Sequence, residues 1–243
     1  MIPLEMLLGR AGPLPAQAAV TPRVQPLSAW RRPLPGGPGT TVLVAEAFWD
    51  VAHVAVSPPA QTAALRQWAD QTRYEDAAHS VEHSIDLWKR RLGPGWFERL
   101  RRMPADAARS PEEPDAPLWT DEAGNTERAE TVQDALERCL QGETLCRIVW
   151  INAAPHEALA ILTGAPIFAG LWRGWHRDLG ARPVFLGPDT IRAVVRRPPG
   201  DEDTIRALAA AALCLDPRLG DDGAPFLLWW LMDNHLWRLQ WRS

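Results

Sequence analysis

The stretch Leu171 to Arg197, LWRGWHRDLGARPVFLGPDTIRAVVRR, constrains the fold more than any other part of the chain. Phe168, Leu171, Trp172, Trp175 and Leu179 recur at steps of three and four, which places them on one face of a helix. Gly180 follows where helices end in a left-handed residue, a conformation that glycine adopts without a Cβ clash. Pro183 to Leu186 is short, apolar and strand-like. Gly187-Pro188-Asp189-Thr190 has turn chemistry, because proline fixes φ and aspartate bonds the backbone ahead of it. Ile191, Ala193 and Val195 then alternate with Arg192, Val194 and Arg196. That period of two suits a strand with one covered face. Pro198-Pro199-Gly200 ends it, since proline has no N–H to give a ladder.

Met1 to Gly39 carries eight prolines and reads as a proline-rich N-terminal arm. Val42 to Val44 and Val51 to Val56 look like strands, and Ser57-Pro58-Pro59 resembles a helix start. From Glu75 to Leu92 a helix is expected, with Ala78, Val81, Ile85, Trp88 and Leu92 as its apolar stripe. Gly93-Pro94-Gly95 stops it, and Trp96 to Met103 forms a second short helix. Residues 111–125 are acidic, proline-bearing and aperiodic, as expected of a linker. They divide an N-terminal α/β part, 40–110, from a C-terminal α+β domain, 126–243. In that domain helices are expected over Thr126 to Leu140, with Asn125 as cap, Pro155 to Leu162, Asp201 to Leu215 and Pro225 to Met232. Leu145 to Ile151 and the alternating tail from His235 to Trp241 read as strands. The fold class expected is α/β or α+β, with a mainly antiparallel sheet covered by helices.

Composition narrows the functional classes. The 243-residue chain has a net charge of −4, which argues against a protein that coats nucleic acid. Thirteen tryptophans stand against one tyrosine, and Lys89 is the sole lysine. Near-exclusive arginine usage reads first as the mark of a GC-rich genome. Cys139, Cys146 and Cys214 lie among apolar neighbours without paired spacing, as expected of free thiols in a reducing cytoplasm. No apolar run approaches membrane-spanning length and the start lacks a basic leader, so a cytoplasmic location and no membrane contact are expected.

The tail carries Trp175 followed by Gly180-Ala181, then Arg197-Pro198-Pro199, Ala207-Leu208-Ala209, and tryptophans from Trp229-Trp230 through Trp237 and Trp241. In these pieces it resembles a bacterial family, domain of unknown function 4253 (DUF4253). Where that family has a Cys-Pro-Asp element, this chain has Cys214-Leu215-Asp216-Pro217. The family often ends with tryptophans followed by aspartate, whereas this chain ends Gln240-Trp241-Arg242-Ser243. The resemblance covers about the last hundred residues. It implies a bacterial intracellular domain and supplies no catalytic residues.

Candidate sites are weighed against structural readings. His79 and His83 sit one turn apart, the spacing of two zinc ligands, but opposite the apolar stripe. A solvated face with an Asp86–Arg90 pair is the simpler account, so no metal or cofactor is expected. Residues 88–102 interleave Trp88, Lys89, Arg90, Arg91, Trp96, Phe97, Arg99, Arg101 and Arg102 as a nucleic-acid binder does. Trp88 also belongs to the helix stripe, and the acidic Glu112-Glu113-Pro114-Asp115 can fold onto the arginines. His156-Glu157 and His176-Arg177-Asp178 lie at helix ends, where capping is expected. There is no GxSxG, Walker loop or HExxH pattern, so no catalytic residue is assigned. The aromatic end remains, with Arg197, Trp230, Asp233, His235 and Trp237 as candidate binding residues. Core packing is the competing reading for its tryptophans. The leading expectation is a non-catalytic protein-interaction module with a protein partner, for example a toxin-neutralising immunity-type protein. The alternatives are a hydrolase-like enzyme with a dispersed histidine and carboxylate site, and nucleic-acid binding through residues 88–102.

Overall fold

The computed structural model describes residues 20–24, 40–45, 71–108, 128–139, 146–151, 154, 157, 159, 167–187, 190–215 and 220–240. The elements in chain order are β1 (Val20–Val24), β2 (Thr40–Ala45), α1 (Gln71–Leu92), α2 (Trp96–Arg101), α3 (Ala105–Ala108), α4 (Val132–Cys139), β3 (Cys146–Ile151), α5 (Ile167–Leu179), β4 (Arg182–Leu186), β5 (Thr190–Val194), α6 (Glu202–Leu215), α7 (Gly220–Leu231) and β6 (Leu236–Gln240). The strands form one six-stranded sheet in the order β1-β3-β2-β4-β5-β6. Four of its pairings are antiparallel and β2–β4 is parallel. A mainly antiparallel sheet covered by helices is the architecture expected from the residue pattern. Apart from β1, the proline-rich arm lies outside the described residues. So do the segments expected at 51–69, 111–125 and most of 155–166.

The helix–strand–turn–strand stretch forms as its chemistry dictates. Gly180 takes φ 65° after α5, and its N–H bonds the His176 carbonyl at 2.9 Å. A Cβ there would stand 2.9 Å from Arg196 Cβ. Gly187 N–H bonds the Thr190 carbonyl at 2.8 Å and closes the hairpin. β5, however, is covered on both faces, where the sequence pattern suggested one. Ile191, Ala193 and Val195 join the main core with Trp237 and Leu239 of β6. Val194 joins a second cluster with Val184, Phe185, Leu236, Ala129, Ala135 and Cys139 beneath α4. A register shift between Pro183 and Phe185 explains how the consecutive Val184 and Phe185 both reach that second cluster.

On the main face, α1 packs against α6 and α7, and α6 touches β6. Tyr74, Ala77, Ala78, Val81, Ile85 and Trp88 are buried along α1, while Glu75, Asp76, His79, Glu82, His83 and Asp86 are exposed. That is an amphipathic stripe of period 3.6. Ala209 to Ala212 are all buried in α6; such short side chains bring neighbouring helix axes close. Asp201 caps α6, accepting from Thr204 N at 2.8 Å and Thr204 Oγ1 at 2.7 Å.

Three helix starts differ from the sequence expectation, α1 beginning at Gln71 rather than Glu75. α4 begins at Val132 rather than Thr126. Thr131 is its cap, with Oγ1 accepting from Asp134 N at 3.1 Å. The preceding Ala129 is held instead by Asn234 and His235, near the far end of the chain. α7 begins at Gly220, so Pro225 lies inside it. Its carbonyl accepts the Trp88 indole N–H at 3.1 Å, which ties α1 to α7.

Candidate functional site

Arginines close five of the helix C-termini, where the last carbonyls have no partner inside their own helix. Arg99 Nη1 donates to the Leu92 carbonyl at the end of α1. Arg192 Nη1 donates to the Cys139 carbonyl at the end of α4, at 2.8 Å, with its guanidinium 4.4 Å from the Phe185 ring. Arg197 Nη2 donates to the Arg177 carbonyl in the last turn of α5, at 2.9 Å. Arg128 serves two helices. Its Nη1 donates to Met232 after α7 at 2.8 Å, and its Nη2 to Arg101 at the end of α2 at 2.9 Å. A planar fork reaches two carbonyls at once, and an ammonium point charge does so poorly. The arginine-for-lysine bias of the chain therefore has a structural use, beyond base composition.

The junction between α7 and β6 gathers most polar groups of the aromatic end. Arg128 lies with its guanidinium carbon 4.0 Å from the centre of the Trp229 ring, and Trp229 Nε1 donates to the Met103 carbonyl at 2.8 Å. Arg101 forms a bidentate pair with Asp233. This pairing raises the Arg101 guanidinium above its ordinary value, whereas burial lowers Arg128. Asp233 holds φ 54°, a left-handed conformation that a short polar side chain tolerates. Asn234 is buried, and its Oδ1 accepts from Ala129 N and Leu236 N, each at 3.0 Å. Two main-chain donors on one atom fix that atom as the oxygen and leave Nδ2 without a partner among the described residues. His235 N donates to the Ala129 carbonyl at 2.9 Å, and its Nδ1 lies 2.7 Å from the Val195 carbonyl.

The structure thus brings Asp233 and His235 of the sequence-derived candidates into one junction, together with Arg101 and Arg128, which no local pattern joins to them. Trp230 and Trp237 are 4% and 1% exposed, so a partner meets neither without opening the core. Trp237 meets Trp175 edge to face at 5.5 Å, and Trp175 meets Trp172 at 5.2 Å. Arg197 is exposed and stands at the end of α5. His79 and His83 lie on the solvent side of α1. Among the described residues, no three His, Cys, Asp or Glu side chains are arranged to hold a metal ion. Arg90 engages the main-chain carbonyl of Asp86, with Nε at 3.4 Å, where a carboxylate pair was expected. The carboxylates beside α1 serve other partners. Arg206 of α6 lies 3.0 Å from Glu82 and 2.8 Å from Glu202, and Lys89 is 3.4 Å from Glu202.

The tryptophan rings of the 88–102 segment are also engaged. Trp88 is fully buried and Trp96 is 7% exposed. Trp96 meets Phe97 edge to face and carries Lys89 at 5.7 Å. Most cations of this segment remain outside. Between them, an open depression of about 550 Å³ is lined by His83, Asp86, Lys89 and Arg90. No helix of the described residues is long and apolar enough to cross a membrane. No family model matches the chain, and no curated protein or solved structure matches it.

Proposed function

We propose that the chain is a non-catalytic protein-interaction module of the bacterial cytoplasm, a toxin-neutralising immunity-type protein being one concrete form. The resemblance of the tail to DUF4253 belongs to the same proposal. One observation carries it. The polar groups around the aromatic end hold elements together: Arg101 pairs with Asp233, Arg128 with two helix ends, Asn234 with two main-chain donors, and His235 with Val195. A general acid or base needs a ring nitrogen or carboxylate aimed at space for a substrate. These groups are aimed at backbone and at one another instead. A rigid body with a charged, solvated outer face suits recognition by surface complementarity.

Affinity purification of the full chain from its native cell tests the reading. A partner retained at stoichiometric amounts through repeated washing is expected. Reproducible recovery of the chain alone would overturn it, as would turnover of a simple ester, phosphate or peptide by the purified protein.

A further inference from the structure

The cations of the chain are not evenly spread. The end of α1, the whole of α2 and the residue after it bring Lys89, Arg90, Arg91, Arg99, Arg101 and Arg102 to one corner of a molecule whose net charge is −4. Arg101 is tied to Asp233, Arg99 to the Leu92 carbonyl, and Lys89 lies 3.4 Å from Glu202. Lys89, Arg90, Arg91, Arg99 and Arg102 are exposed, Arg102 with 82% of its side chain in solvent. The depression lined by His83, Asp86, Lys89 and Arg90 adjoins them. We infer that this basic corner is the docking surface for an acidic patch on a partner protein, with a carboxylate side chain seated between Lys89 and Arg90. The inference rests on the module reading above and names its surface.

Two observations favour a protein over a nucleic acid. Single-stranded nucleic acid gains much of its affinity from bases stacked on aromatic faces. The Trp88 and Trp96 rings of this corner are buried and give no such face, and Phe97 is partly covered, with Trp96 packed edge to face against it. Carboxylates also stand among the cations: Asp86 lines the depression, and Glu98 lies 3.7 Å from Arg101 and 3.9 Å from Arg102. A continuous phosphate chain would run over these, whereas a protein surface can place its own cations opposite them.

The sole lysine supplies a local reporter. A zero-length carbodiimide joins an amine to a carboxylate only at contact distance, and Lys89 carries the one side-chain amine of the chain. The probes are poly-L-glutamate and oligothymidylate, each of about 20 units, titrated onto the full chain at about 50 mM salt. Poly-L-glutamate is expected to couple covalently at Lys89 and to lose about tenfold in affinity in the R90E/R102E variant. Oligothymidylate is expected to bind no tighter than poly-L-glutamate. Lys89→Gln, which removes charge without reversing it, gives a smaller loss and guards against a folding defect, as does a thermal melt of each variant. Tenfold tighter binding of oligothymidylate would overturn the inference. So would unchanged binding of poly-L-glutamate by R90E/R102E, or coupling of Lys89 confined to the chain's own carboxylates, Glu202 at 3.4 Å first among them. The native partner separates the two levels. If R90E/R102E retains it as the unaltered chain does, the surface is wrong and the module reading stands. If neither captures a partner, the module reading falls and the inference with it.

Discussion

At the scale of single residues, the buried amide of Asn234 has the clearest consequence. Its oxygen accepts from Ala129 N and Leu236 N, which joins the segment before α4 to the start of β6. Alanine would leave two main-chain donors unsatisfied in a site closed to water, at a cost of about 2–4 kcal/mol. A lowered urea midpoint with unchanged slope in Asn234→Ala checks this. Cys139 gives a pH dependence. Burial pushes its thiol up from 9.0 to about 12, against the opposing pull of Arg192 and Arg238. The folded chain therefore keeps a proton that the unfolded chain releases. Its contribution is fully present below the ordinary thiol value and is lost as pH rises from there toward 12. Burial raises Tyr74 as well, which acts in the same direction. Unfolding free energy is expected to fall between about pH 8 and about pH 10.5, and Cys139→Ala to flatten part of that fall. A stability that rises over this interval would contradict the assignment.

Between elements, the connections depend on what each side chain donates. Arg128 joins the ends of α2 and α7 and covers the Trp229 ring. Lysine keeps the charge but not the fork, so Arg128→Lys is expected to destabilise by about 1–3 kcal/mol, seen as a drop in melting temperature. Two buried tryptophans give a matched comparison. Trp88 Nε1 donates to the Pro225 carbonyl, whereas Trp237 Nε1 has no acceptor among the described residues. Phenylalanine removes similar volume at both sites but breaks a hydrogen bond at Trp88 alone. Trp88→Phe is therefore expected to exceed Trp237→Phe in cost by about 1 kcal/mol, measured in the same denaturant series. These connections mark the limit of what the sequence discloses. Local periodicity exposed α1, α5, α6 and the β4–β5 hairpin, because spacing alone sets which face is apolar. The partner of a given arginine is set by tertiary approach. Arg101 and Asp233 lie 132 positions apart, and no local pattern joins them. The late start of α4 has the same origin, since Ala129 is held by Asn234 and His235 from the far end of the chain. The second covered face of β5 also escaped the pattern, because Arg192 reads as a solvent position while its guanidinium closes α4.

For the molecule as a whole, sheet order decides how the chain can be divided. β2, from the first quarter of the sequence, lies between β3 and β4 and hydrogen-bonds both. Among the described residues, no other strand links those two. α1 carries Val81, Ile85 and Trp88 into the same core as Ile205, Leu228 and Trp237. The acidic stretch 111–125 looks like a domain boundary by composition, yet residues on both sides of it share one sheet and one core. A fragment of residues 126–243 would keep the antiparallel β4–β5–β6 ladder and α4 to α7. It would lose the strand that joins β3 to β4 and the helix that covers α6 and α7. The buried Ala209 to Ala212 of α6 offer little apolar area without α1 against them, so α6 cannot make good that loss. The fragment is therefore expected to keep helical signal while exposing apolar surface, as a compact state without fixed packing does. Dye binding and a broad, non-cooperative melt check this against the full chain, for which a single sharp transition is expected. A fragment that melts cooperatively and binds no dye would show that the C-terminal segment builds its own core, and the interleaving of the two halves would then be dispensable for stability.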